Sequence, residues 1–86
     1  MIRDELEKTI RKLPYPLKDE DEIIEILKRR LTKKEYKVLK FKASNMDLEE
    51  MAKELKVDMD RLTKIDVTLV KKINQEKIKH DIMVIS

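Results

Sequence analysis

Apolar residues recur along this chain in short stripes at helical spacing, and the breaks between stripes fall at residues that stop helices. Ile2, Leu6, Ile10 and Leu13 stand at i, i+4, i+8 and i+11, one face of a first helix. Pro14-Tyr15-Pro16 ends it, because proline has no amide hydrogen to donate and disfavours helical backbone in its predecessor. Asp19 to Asp21 supply an N-cap and first-turn carboxylates for a second helix with Ile23, Ile24, Leu27 and Leu31 inward. Thr32 and Glu35 make the T-x-x-E signature of a capping box at the head of a third helix. That helix turns Val38, Leu39, Phe41 and Ala43 inward and Lys33, Lys34, Lys37 and Lys40 outward. Ser44-Asn45 closes it, with Asn45 in the left-handed position that glycine usually fills.

Asp47, with Glu50 as capping partner, opens a fourth helix whose Leu48, Met51, Ala52 and Leu55 face the core. Val57-Asp58 is a corner, and Asp58 caps a fifth helix with an inner stripe of Leu62, Ile65, Leu69 and Ile73. The opposite side presents Asp60, Lys64, Val67 and Lys71, flanked by Thr63 and Thr68. A corner of two or three residues between two such stripes is what a helix-turn-helix requires, and small Ala52 lets two helices cross closely. The pattern predicts an all-α domain, a small bundle of about five helices. Residues 1–30 form an N-terminal helical extension, 31–77 carry the helix-turn-helix, and 78–86 are an apolar tail of one single domain, 1–86. In that tail Ile78, Ile82, Met83, Val84 and Ile85 are too apolar for a frayed end. They continue helix five, pack back on helices one and two, or form a strand shared with a second copy.

Composition agrees with the helical pattern. The chain is 45% charged and has no glycine and two prolines, which favours helices over strands and tight turns. The same Lys, Glu and Ile bias accompanies hyperthermophilic proteins and skewed genomes alike. At 86 residues it buries only a little over ~60% of its unfolded surface, and with no cysteine it has neither disulfides nor thiolate-bound zinc for support. No run approaches the roughly 18 apolar residues of a membrane span, and Met1 to Glu5 is too acidic for a signal peptide. A cytoplasmic protein is expected.

The net charge of +3 conceals an uneven distribution. Residues 28–42 carry eight basic side chains and one acidic, whereas residues 1–27 carry five and eight. So dense a block is the footprint of a polyanion-binding surface, or else a solvated helix face. Arg29, Arg30, Lys33, Lys34, Lys37, Lys40 and Lys42 are its phosphate-binding candidates, joined by Arg61, Lys71 and Lys72 from the fifth helix.

Leu31 to Ile73, LTKKEYKVLKFKASNMDLEEMAKELKVDMDRLTKIDVTLVKKI, resembles region four of bacterial sigma factors and the related LuxR-type output domain. Leu31-Thr32, Glu35, Val38-Leu39, Asp47, Glu50-Met51-Ala52, Leu55, Val57-Asp58, Leu62 and Lys71-Lys72-Ile73 fall on the shared pattern without a gap. Ile65-Asp66 matches the hydrophobic-acidic pair in the middle of the recognition helix. The resemblance implies that the exposed start of that helix enters the major groove of double-stranded DNA, with Met59, Asp60, Thr63 and Lys64 toward the bases. Sigma factors typically place arginines there, whose bidentate bonding to guanine is the commonest specific contact. Here Asp60 can accept from a cytosine amino group, and Thr63 or Lys64 can reach base edges. Val67 can touch a thymine methyl or mark a protein contact.

Catalysis has little to stand on. The sequence has no glycine-rich phosphate loop, and Ser44 and Ser86 have no plausible histidine partner. His80, the only histidine, reads as a surface residue rather than a metal ligand. Neither enzyme activity, metal nor cofactor is expected. Two functions remain: a small DNA-binding transcription regulator, or a protein-interaction module on the same scaffold. The second would bind RNA polymerase, another regulator, or its own copy as a homodimer through the N-terminal helix or the tail.

Overall fold

The computed structural model describes residues 2–85, and the chain forms an all-α fold. Its helices are α1 (Ile2–Thr9), α2 (Glu20–Arg30), α3 (Lys33–Ala43), α4 (Leu48–Leu55), α5 (Met59–Ile73) and α6 (Glu76–Ile82). Helix α3 sits at the centre, packed against α1, α2, α4 and α5. The core that holds them contains Leu6, Ile23, Leu27, Leu39, Leu69 and Ile82, all fully buried. Burial of each such side chain is worth about 1.5–3 kcal/mol.

The cap signals of α3, α4 and α5 act as their spacing implies. Thr32 Oγ1 accepts from the Glu35 amide at 3.2 Å and Glu35 Oε1 from the Thr32 amide at 2.9 Å, a complete capping box. Asp47 accepts from the Glu50 amide and Asp58 from the Arg61 amide. After α3, Asn45 adopts φ 59° and the Met46 amide reaches back to the Phe41 carbonyl, the Schellman arrangement.

Four expectations are corrected. Helix α1 stops at Thr9, so Leu13 leaves the stripe and is 36% exposed. Its end is closed from 65 residues away: Asn74 Oδ1 accepts from the Arg11 amide, and Asn74 Nδ2 donates to the Thr9 carbonyl. Asp19 takes the N-cap position of α2 without a side-chain bond, while Glu20 next to it turns away to accept from the Ile2 and Arg3 amides at the head of α1. Leu48, the first residue of α4, points into solvent at 53% exposure rather than toward the core.

The tail neither prolongs α5 nor frays. Asn74 and Gln75 break the helix, α6 follows, and Ile78, Ile82 and Met83 enter the core, with α6 packed on α2 and α5. Met83 then forms an isolated antiparallel bridge with Leu17, through Lys18 N–H to the Ile82 carbonyl and Val84 N–H to the Pro16 carbonyl. Pro16 to Lys18 thus supply, within the same chain, the edge that the tail pairs with. Val84 and Ile85 remain exposed, and Ser86 lies outside the described residues. Among the described residues no helix is long and apolar enough to cross a membrane.

Candidate nucleic-acid interface

Three residues, Lys56 to Asp58, join α4 to α5. Lys56 is left-handed, at φ 57° and ψ 47°, and the Val57 amide bonds the Ala52 carbonyl at 3.0 Å. That is a second Schellman closure, with lysine where a residue lacking Cβ would be unstrained. Asp58 then starts α5 at once, its carboxylate 2.7 Å from the Arg61 amide. Leu62, Ile65, Leu69 and Ile73 are buried along one side of α5 and set its rotation. The five base-reading candidates consequently face outward: Met59 (42% exposed), Asp60, Thr63, Lys64 and Val67 (49% exposed). The Thr63 hydroxyl donates to the Met59 carbonyl at 3.0 Å, leaving its oxygen free to accept.

The basic candidates do not gather on one surface. Lys34 at the head of α3 shares a groove with Arg61, Lys64 and Thr68 of α5. Lys33, Lys37 and Lys40 rim a separate groove with Lys28, over a floor of Leu31 and Tyr36, and the Lys28 ammonium lies 5.8 Å from the Tyr36 ring centroid. Arg29 and Arg30 line a third, beside Lys18 and Asp81, where Arg30 pairs with Asp81 at 2.6 Å. Lys71 is exposed on the outer side of α5.

Two lysines from the cationic set serve the fold. Lys42 Nζ binds Asp66 at 2.9 Å, and Lys72 Nζ binds Glu35 Oε1 at 2.8 Å. Both bridges tie α3 to α5. Glu35 is buried, and it accepts from both Lys72 and the Thr32 amide. Burial pushes its carboxyl pKa up, but the Lys72 ammonium and the Thr32 donors together outweigh that and hold it below the usual carboxylate value. Burial, with Glu20 adding to it, raises the neighbouring Tyr36 hydroxyl above its ordinary value. The sequence does carry a trace of the Glu35 bridge, since Glu35 is the single acid among eight bases in residues 28–42.

One cluster has no signal in the sequence pattern. Met46, Leu48 and Met59 meet where α4 and α5 begin, with Asp47 and Glu49 beside them. Among the described residues no group of three or more His, Cys, Asp or Glu side chains is placed to hold a metal ion. Comparison with known protein families, with curated proteins and with solved structures finds no match to this chain.

Proposed function

We propose that this protein is a small DNA-binding transcription regulator in which α4, the Lys56 to Asp58 turn and α5 act as a helix-turn-helix. The observation that supports it best is the outward face of α5. A helix anchored by four buried residues leaves Met59, Asp60, Thr63, Lys64 and Val67 exposed, with Lys34 and Arg61 gathered on the flank that holds Lys64. A major groove about 12 Å wide admits one such helix. In this reading Lys34, Arg61 and Lys71 hold phosphates and set register, while Thr63, Lys64 and Asp60 face base edges. Asp60 repels the phosphates and is retained for acceptance from a cytosine amino group. The cytoplasmic location belongs to the same proposal.

The test is fluorescence anisotropy with pooled random duplex across a salt series. Binding is expected at low salt, and log K falls linearly with log salt. Replacing Lys34, Arg61 and Lys64 by glutamine should flatten that slope by roughly 0.9 for each phosphate no longer neutralised. If duplex at low salt produces no rise in anisotropy, the proposal fails.

A second reading, a protein-interaction module for RNA polymerase or another regulator, is favoured by the acids and apolar side chains at the head of α5. Asp58 and Asp60 flank exposed Met59, a composition better suited to a protein partner than to phosphate.

A further inference from the structure

We propose that copies of this chain associate head to tail. The acidic, apolar corner where α4 and α5 begin receives the lysine-rimmed groove at the start of α3 of the next copy. The inference does not depend on DNA binding.

Two of the corner's apolar side chains lie outside the core, and Met46 packs against its edge. Leu48 opens α4 at 53% exposure and Met59 opens α5 at 42%. Met46 is half-buried beside them, and Asp47 and Glu49 stand at the edge. Unbranched methionines adapt to an incoming surface, and Leu48 supplies a fixed apolar contact. The carboxylates select a cationic partner, although the two helix N-termini offset part of their charge.

The groove carries the opposite chemistry. Leu31 and Tyr36 form an apolar floor, and Lys28, Lys33, Lys37 and Lys40 surround it. Lysine stems extend the apolar surface while the ammonium groups stay at the rim, where they can meet Asp47 and Glu49 of a neighbour. The two surfaces are therefore complementary both in apolar content and in sign.

Both surfaces border the central helix α3. The groove runs along one side of α3 from Lys33 to Lys40, and the corner follows the C-terminal end of the same 11-residue helix. One chain presents both halves of the contact as different surfaces, so the head-to-tail contact proposed here is heterologous and can propagate. Met59 also belongs to the proposed DNA-reading face, so a bound copy and a bound duplex exclude each other at that helix end.

Multi-angle light scattering on the full chain tests this. At low salt the weight-average mass should rise with concentration beyond twice the 10.4 kDa protomer, and high salt should return it to the protomer mass. Glu49→Lys and Lys37→Glu/Lys40→Glu change exposed residues only, and each should be monomeric alone through like-charge contact. Mixed in equal amounts they should associate again, because each reversed surface then meets its complement. The neutral pair Glu49→Gln and Lys37→Gln should weaken association several-fold, and covers the case in which a reversed variant loses its circular dichroism. A wild-type protein that stays monomeric overturns the proposal, as does a mass that stops at the dimer or variants that associate unchanged. A monomer that instead captures a lysine-rich amphipathic peptide at the corner overturns it too, since the occupant would then be another protein.

Discussion

Lys56 shows most directly how a single residue is set against its backbone. Its φ of 57° lies where a Cβ crowds the following carbonyl, a conformation that costs a lysine about 1 kcal/mol more than a glycine. The Schellman bond from the Val57 amide over-determines the turn and holds it there. Lys56→Gly is therefore expected to stabilise the chain, raising the thermal midpoint by about 4–8 °C per kcal/mol gained for a domain of this size. An unchanged or lowered midpoint in a calorimetric scan would show that the turn is unstrained. Glu35 is the other residue whose role exceeds its local signature. Thr32 and Glu35 declare a capping box by spacing alone, but the Lys72 bridge pairs residues 37 positions apart and no local rule announces it. Because folding lowers the Glu35 pKa, its contribution is present above the ordinary carboxylate value and is lost as pH falls through the lowered one. Glu35→Gln retains a capping side chain and removes the ion pair. It should unfold at lower urea than the parent at neutral pH, and the gap should close on acidification. A gap that is constant with pH would refute the bridge as its source.

At the scale of elements, the stripes located α1 to α5, and tertiary contacts set the end of α1 and the place of α6. Helix α1 is legible from Ile2, Leu6 and Ile10, but its stop at Thr9 is supplied by the Asn74 side chain and not by Pro14. Leu48 sits at the first position of α4, where the i, i+3, i+4 pattern counts it as core, yet the turn after Asn45 aims it outward. The tail was the least legible element. Seven residues of α6 carry too little periodicity to be told from a strand or an extension of α5. Its place follows from the Leu17–Met83 bridge and the packing on α2, contacts between segments 66 positions apart. Ile82 is fully buried at the end of α6, so Ile82→Ala should cost about 2–5 kcal/mol and leave oligomer size unaffected. If chemical denaturation shows no loss while light scattering shows dissociation, the tail works between chains and not within one.

For the molecule as a whole, the question raised by the cationic block is one of distribution. Residues 28–42 read as a single dense patch, but three helix surfaces divide them among three grooves, and Lys42 is committed to the α3–α5 bridge. A linear charge count cannot foresee this, because residues three to four apart share a helix face while those one or two apart diverge. Of the three grooves only the one holding Lys34 includes α5, and there Lys34, Arg61 and Lys64 form the basic flank on which the DNA-binding proposal rests. The lysines on the other side of α3 take a different part in the association proposed above, opposite the acidic corner formed where two helices begin.

The features legible along the chain were ones set by neighbours a few residues away: the all-α class, the caps at Thr32, Asp47 and Asp58, the left-handed Asn45, and the buried stripe of α5. Those features depend on local hydrogen bonds and on helical period. The fate of the tail, the pairing of Glu35 with Lys72, the exposure of Leu48 and the dispersal of the lysines came only with the packed fold. Each of these depends on which surfaces distant segments present to one another, and a side chain's partner across the core is set by packing geometry rather than by its place in the chain.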